Sequence, residues 1–126
     1  MEFTLKAILP ASTEAVYDAW LSSKGHTDMT GGAATASDKI GDSFTAWDGY
    51  IEGKNIELEP YQRIVQSWRT SQFEEEEADS QIEILLKAVD GGTELTLIHT
   101  QVPEGGEHYI KGWENHYFEP MKAYFK

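Results

Sequence analysis

Apolar and polar residues alternate along much of the first hundred positions, which is the pattern of half-buried β-strands. Ile82, Ile84 and Leu86 share one face of such a segment, and Leu95 and Leu97 share one face of another. Strands are predicted at 3–9, 42–47, 50–59, 63–69, 81–87 and 93–100. Because short turns separate most of these segments, the expected topology is an antiparallel meander.

Helical spacing of apolar residues is confined to the two ends of the chain. Ser12 is a suitable N-cap for a helix over residues 12–21, and a second short helix is predicted after Ser22-Ser23. The segment 31–37 is rich in small residues and predicts a loop or a poorly formed strand. Strands grouped together with helices at the ends indicate the α+β class.

The C-terminal segment predicts a long helix with large apolar side chains on one side. That stripe is Trp113, Tyr117, Met121 and Tyr124, flanked by Tyr109 and Phe118. Such a helix is expected to pack on the sheet. Pro120 lies inside it and predicts either a kink near residues 116–120 or a break at which Pro120 begins a new turn.

Composition narrows the classes of function. The 126 residues correspond to one domain, over residues 1–126, and the formal net charge of -12 argues against nucleic acid and anionic membranes as partners. The chain contains no cysteine, and its beginning shows no secretory signal pattern. We therefore expect a cytoplasmic protein, and a monomer.

Motifs for catalysis or metal binding are not recognisable in this sequence. The four histidines, at positions 26, 99, 108 and 116, show no metal-ligand spacing, and no nucleotide-binding glycine loop is present. No metal, cofactor or enzymatic activity is expected. The acidic run Glu74–Glu77, followed by Asp79, predicts a solvated, mobile loop, with binding of a cation or a basic partner as the alternative.

One histidine and the tryptophans are candidates for ligand contact. His99 shares a strand face with Leu95 and Leu97, so it is either a polar contact in a pocket or a hydrogen-bonded core histidine. Trp20, Trp68 and Trp113 could form stacking surfaces or core. Trp47 adjoins the turn Asp48-Gly49, which favours partial exposure and contact with a ligand or partner.

The chain resembles the homologues of the heat-shock-protein-90 ATPase activator, a branch of the START-like superfamily. The resemblance rests on six segments in the same order, at 41–44, 48–53, 60–69, 92–97, 102–103 and 112–118. It implies a helix-grip fold, in which a curved antiparallel sheet wraps around the C-terminal helix and two short helices follow the first strand. It also implies a cavity between sheet and helix.

The expected function is non-enzymatic binding of a small hydrophobic or aromatic molecule in that cavity. The candidate cavity residues are Met29, Trp47, Trp68, Leu97, His99, Tyr109, Trp113 and Tyr117. The alternative that the resemblance implies is a co-chaperone-like module that binds the 90-kDa heat-shock chaperone and modulates its ATPase. A cyclase-type enzyme is a third alternative and would require a polar constellation around His99.

Overall fold

Eight regular elements precede the C-terminal helix in the computed structural model, which describes residues 1–126. They are β1 (Phe3–Leu9), α1 (Thr13–Trp20), α2 (Ser23–Thr30), β2 (Ser43–Ala46), β3 (Ile51–Glu59), β4 (Arg63–Thr70), β5 (Ser80–Val89) and β6 (Gly92–Thr100). The C-terminal helix follows as α3 (His108–Trp113), a π-helical turn (Glu114–Phe118) and α4 (Glu119–Tyr124). No helix combines the length and the apolar character needed to cross a bilayer.

The six strands form one open, curved antiparallel sheet in the order β1-β6-β5-β4-β3-β2. Strands β2 to β6 form a meander, and β1 pairs with β6 and is the edge strand opposite β2. Alternation places Ile82, Ile84, Leu95, Leu97 and His99 inside, all at most 1% exposed. The predicted α+β helix-grip fold and its meander are confirmed.

The two short helices between β1 and β2 begin at the predicted serines. Ser12 Oγ accepts a hydrogen bond from the Ala15 amide, and Ser22 Oγ accepts one from the Gly25 amide, both at 3.1 Å. Helix α2 ends at Gly31, whose φ of 87° is the left-handed conformation that glycine adopts without steric cost. The starts of both helices and the end of α2 are therefore signalled in the sequence.

The C-terminal helix stays helical through Pro120, with a widened turn before it. The Glu119 amide donates to the Glu114 carbonyl, five residues back, so the chain makes a π turn where Pro120 offers no donor. Of the two alternatives predicted at Pro120, a kink or a break, the break is wrong, because the residues at both junctions of this turn have helical dihedral angles. The turn accommodates the proline without ending the helix.

The apolar stripe on that helix differs from the prediction at its end. Met121 is buried, but Tyr124 is 47% exposed, and Phe125 packs against the core instead. The π turn contains one residue more than an α turn, which rotates all later positions around the helix axis. Phe118, predicted to flank the stripe, is accordingly 4% exposed and belongs to the core.

The acidic run between β4 and β5 is exposed, but its backbone is held in place. The Arg69 guanidinium donates to the carbonyl oxygens of Glu74 and Glu77 at 3.0 and 3.1 Å and to the Asp79 carboxylate at 2.7 Å. The same guanidinium lies over the ring of Phe73. An arginine on β4 therefore organises this loop, which the prediction of a solvated, mobile loop did not include.

Candidate functional site

A cleft of about 560 Å³ lies between the β2–β3 hairpin, the end of β4 and the first half of the C-terminal helix. Its floor consists of apolar and aromatic residues that are at most 7% exposed: Ile51, Trp68, Tyr109, Trp113 and Tyr117. Its rim consists of more exposed residues: Trp47, Tyr50, His108, Lys111, Gly112, Asn115 and His116. The volume is within the range of pockets that hold small molecules.

The aromatic floor belongs to a continuous cluster that fills the space under the sheet. The Trp113 ring lies 4.8 Å from Tyr117, 5.6 Å from Trp68 and 6.3 Å from Trp20, measured between ring centroids. The Tyr109 ring contacts Trp68 edge to face at 5.1 Å. The open space is therefore at the side of this cluster, under the hairpin, and not in the centre of the fold.

Trp47 forms the hairpin side of the cleft and is held there by unusual backbone geometry. Its φ is 51° and that of Asp48 is 59°, a left-handed conformation that is uncommon for residues other than glycine. Its ring lies against Gly32, where an added Cβ would be 2.4 Å from the ring. The indole N–H is buried and has no hydrogen-bond partner.

Gly112 keeps the helix side of the cleft open. It lies in the interior of the C-terminal helix, and a Cβ added to it would have no heavy atom within 4 Å. Glycine in a helix interior costs about 1 kcal/mol relative to alanine. Gly112 therefore lowers the stability of the helix and leaves free space beside the aromatic floor.

His99 is a hydrogen-bonded core histidine. The Trp113 indole N–H donates to its Nδ1 at 3.1 Å, so the ring proton is on Nε2, which donates to Ser80 Oγ at 2.9 Å. The Ser80 hydroxyl in turn donates to the Trp68 carbonyl at 2.6 Å. Burial lowers the pKa of His99 to about 3, which keeps the ring neutral.

A second buried histidine ties the C-terminal helix to α2. His26 Nδ1–H donates to the Trp20 carbonyl at 2.9 Å, and its Nε2 accepts from the Tyr117 hydroxyl at 2.7 Å. Burial lowers the pKa of His26 and raises that of the Tyr117 phenol. Both groups are therefore neutral and fully paired.

A chain of amides joins the helices to the sheet, and sequence patterns did not indicate it. The Trp20 indole N–H donates to Gln66 Oε1 at 3.1 Å, and Gln66 Nε2 donates to Asn55 Oδ1 at 2.8 Å. Asn55 Nδ2 then donates to the carbonyl oxygens of Ser37 and Lys39. Gln66 and Asn55 are at most 2% exposed, so this chain satisfies polar groups in the core.

The structure brings five of the eight candidate cavity residues together in the cleft. These are Trp47, Trp68, Tyr109, Trp113 and Tyr117. The other three, Met29, Leu97 and His99, are at most 1% exposed and lie in the core outside the cleft. Alternation along a strand identifies inward-facing residues, but it does not distinguish a filled interior from the wall of a cleft.

The polar rim on the C-terminal helix was not predicted from the sequence. His108, Gly112 and His116 are spaced by four residues, and Lys111 and Asn115 form a parallel pair with the same spacing. Both rows adjoin the aromatic stripe. Helical periodicity alone therefore places these residues beside the stripe and is the signal that identifies them.

The comparisons with known proteins agree with this architecture. The profile of the family described as activator of Hsp90 ATPase homolog 1-like protein matches residues 10–126. The chain is 27% identical over 124 residues to the activator of 90 kDa heat shock protein ATPase homolog of Dictyostelium discoideum, an alignment that covers 96% of this chain. It spans only 32% of the length of that relative.

Two solved structures share the fold over nearly their whole length. The crystal structure of an Hsp90 activator from Plasmodium falciparum has a TM-score of 0.88 at 23% identity, covering 98% of this chain and 94% of that one. The solution structure of the Aha1 dimer from Colwellia psychrerythraea has a TM-score of 0.82 at 16% identity, covering 99% and 96%. With the profile match, these findings show that the chain belongs to the activator of Hsp90 ATPase homolog 1-like family and has a START-like fold.

Proposed function

We propose that this protein binds a small, largely apolar or aromatic molecule in the cleft between the β2–β3 hairpin and the C-terminal helix. The observation that carries the proposal is an open cleft of about 560 Å³ whose floor is aromatic. Trp68, Tyr109 and Trp113 offer edges and faces on which a flat ligand can stack. The open side at Gly112 gives the ligand access to that floor.

Fluorescence titration with N-phenyl-1-naphthylamine tests the proposal, because this neutral aromatic compound becomes bright in apolar surroundings. We expect saturable binding at one site per chain. Gly112→Leu should abolish it, since the new side chain fills the cleft, whereas the matched control Gly112→Ala adds only a methyl group and should retain most binding. Failure of the wild-type protein to bind saturably would overturn the proposal.

We propose a second function, docking on a 90-kDa heat-shock chaperone, because of the family and its named relatives. The Dictyostelium and Plasmodium proteins are named as activators of such a chaperone or of its ATPase. The net charge of -12 would favour encounter with a basic surface. This chain spans 32% of the length of the Dictyostelium relative, so the proposal concerns docking and not the full activity of that protein.

An ATPase assay with the cognate chaperone tests the second function. Docking should change the ATPase rate in proportion to the amount of this protein added, and the effect should weaken as salt screens the charges. Gly112→Leu should leave the effect unchanged if docking does not use the cleft. No binding and no change of rate at low salt would contradict it.

We propose no catalytic role. The cyclase alternative requires a polar constellation around His99, and both ring nitrogens of His99 are engaged within the core, outside the cleft. A molecule retained through purification should therefore be recovered unchanged in mass after long incubation. Recovery of a converted product would support the cyclase alternative.

We propose that the monomer is the binding unit and that it acts in the cytoplasm. A single chain provides both the aromatic floor and the rim of the cleft. Ligand affinity should be independent of protein concentration. Sedimentation velocity across the same concentrations checks the monomer, and fluorescence microscopy of a tagged protein in the source cell checks the location.

A further inference from the structure

The charge of the cleft is opposite in sign to that of the rest of the molecule. The chain contains 22 Asp and Glu residues against 10 Lys and Arg residues, yet none of the twelve residues that line the cleft is acidic. The lining includes Lys111 and two histidines, His108 and His116. We infer, resting on the proposed function, that the ligand is an aromatic acid, with an anionic group at the rim and its ring system on the aromatic floor.

The arrangement of the C-terminal helix keeps acidic groups out of the cleft. Of residues 108–117, only Ile110 and Glu114 do not line it. These two are four residues apart, so they share the face of the helix that points away. Glu114 is the one acidic residue in that stretch. Lys111 therefore lines the cleft, whereas Glu114 lies on the opposite face of the helix.

Lys111 is available to a ligand. Its side chain is exposed and makes no ion pair, and it is the one lysine or arginine among the residues that line the cleft. An unpaired ammonium beside an apolar floor attracts an anion more strongly than one that an acid already neutralises. Lys111 is therefore the residue that we assign to the anionic group of the ligand.

The hairpin side of the cleft also lacks a hydrogen-bond acceptor. The Trp47 indole N–H is shielded from solvent and has no hydrogen-bond partner. The Trp47 ring contacts that of His116 at 5.4 Å, which places it beside the basic rim. Trp47 therefore offers a ligand its ring, beside the basic rim, and Lys111 is the group assigned to the anion.

A matched pair of fluorescent compounds tests the inference. 1-Anilinonaphthalene-8-sulfonate carries the ring system of N-phenyl-1-naphthylamine together with one negative charge. We expect the sulfonate to bind about five- to tenfold more tightly than the neutral compound, and the difference to shrink as ionic strength rises. Saturation at one site per folded chain distinguishes this binding from adsorption to unfolded protein.

Three variants identify the groups responsible. Lys111→Gln should bring the two affinities close together, and Lys111→Glu should make the neutral compound the tighter ligand. Lys87→Gln removes an exposed lysine outside the cleft and should change neither affinity by more than about twofold.

The possible results separate this inference from the proposed function. Equal affinities for the two compounds would contradict the inference that the ligand is anionic, and so would a preference for the sulfonate that persists in Lys111→Glu. Neither result would contradict binding of an apolar molecule in the cleft. Saturable binding of neither compound would overturn the proposed function itself. Tighter binding of a cationic naphthylalkylammonium than of the sulfonate would reverse the assigned sign of the ligand.

Discussion

The C-terminal helix packs against two regions that differ in whether their buried polar groups have hydrogen-bond partners. Toward α2 and β6, the rings of Trp113, Tyr117, His26 and His99 are buried and their polar atoms are paired with one another or with neighbours. Toward the β2–β3 hairpin, the Trp47 N–H has no partner. The same helix therefore closes a satisfied core on one side and borders an open cleft on the other.

The difference between these regions separates structural from functional aromatic residues. Buried polar groups that are all paired stabilise one conformation and leave nothing for a ligand to satisfy. An unpaired donor, a left-handed backbone at Trp47 and free space at Gly112 occur together only at the cleft. Aromatic content alone would not have distinguished the two sides.

Removal of an aromatic ring from the core should lower the free energy of unfolding more than any other change considered below. Trp113→Ala removes a side chain that is 2% exposed and leaves His99 Nδ1 without its donor, so the free energy of unfolding should fall by about 3–5 kcal/mol. Trp47→Ala, at the rim, should cost about 1–2 kcal/mol. Urea denaturation measures both, and equal losses would remove the distinction between core and cleft.

Acid should destabilise the core side. In the folded protein the pKa of His99 is lowered to about 3, whereas the unfolded chain takes up that proton near pH 6.5. The stability that His99 provides is therefore complete above pH 6.5 and falls by about 1.4 kcal/mol per pH unit toward pH 3. His26, whose pKa is also lowered by burial, contributes in the same direction.

Denaturation at a series of pH values measures this dependence. His99→Gln should lower the number of protons taken up on unfolding by about one. The slope of the unfolding free energy against pH should decrease accordingly. An unchanged slope in the His99 variant would show that this ring does not stay neutral in the fold.

Loss of one hydroxyl should have a smaller effect. Tyr117→Phe removes the donor to His26 Nε2 and leaves a buried acceptor unpaired, so stability should fall by about 1–2 kcal/mol. Tyr124→Phe makes the same chemical change at a side chain that is 47% exposed and should be neutral within about 0.5 kcal/mol. Thermal unfolding of the two variants compares them, and similar shifts would contradict a structural role for the Tyr117 hydroxyl.

The smallest effect should be a gain in stability at the cleft. Gly112→Ala places a methyl group in free space within a helix and should add about 0.5–1 kcal/mol. Gly32→Ala should destabilise, because its methyl group would be 2.4 Å from the Trp47 ring. Urea denaturation gives both values, and a loss of stability in Gly112→Ala would show that the cleft is filled rather than open.

Much of the fold could be predicted because its signals are local. Alternation identified Ile82, Ile84 and Leu86 as inward-facing, and Ser12 and Ser22 marked the starts of the helices. The family resemblance placed the sheet around the C-terminal helix, and the structure and the family comparison confirm it.

The boundaries of the cleft could not be predicted, because they depend on contacts between distant segments. Trp47 reaches the rim through a left-handed turn packed on Gly32, and Tyr124 leaves the stripe because of the π turn before Pro120. The choice between a pocket and a core role for His99 depended on Ser80 and Trp113, which approach it only in the folded chain. Pattern along the sequence contains none of these distances.

The most direct test of a ligand cleft beside a closed core uses the indole N–H resonances of the four tryptophans. In ¹H–¹⁵N spectra, saturation with 1-anilinonaphthalene-8-sulfonate should shift the signal of Trp47, whose ring lines the cleft. The signal of Trp20, whose N–H is bonded to Gln66, should stay in place. A Trp47 signal that does not move at saturation, or equal movement of all four signals, would contradict the account.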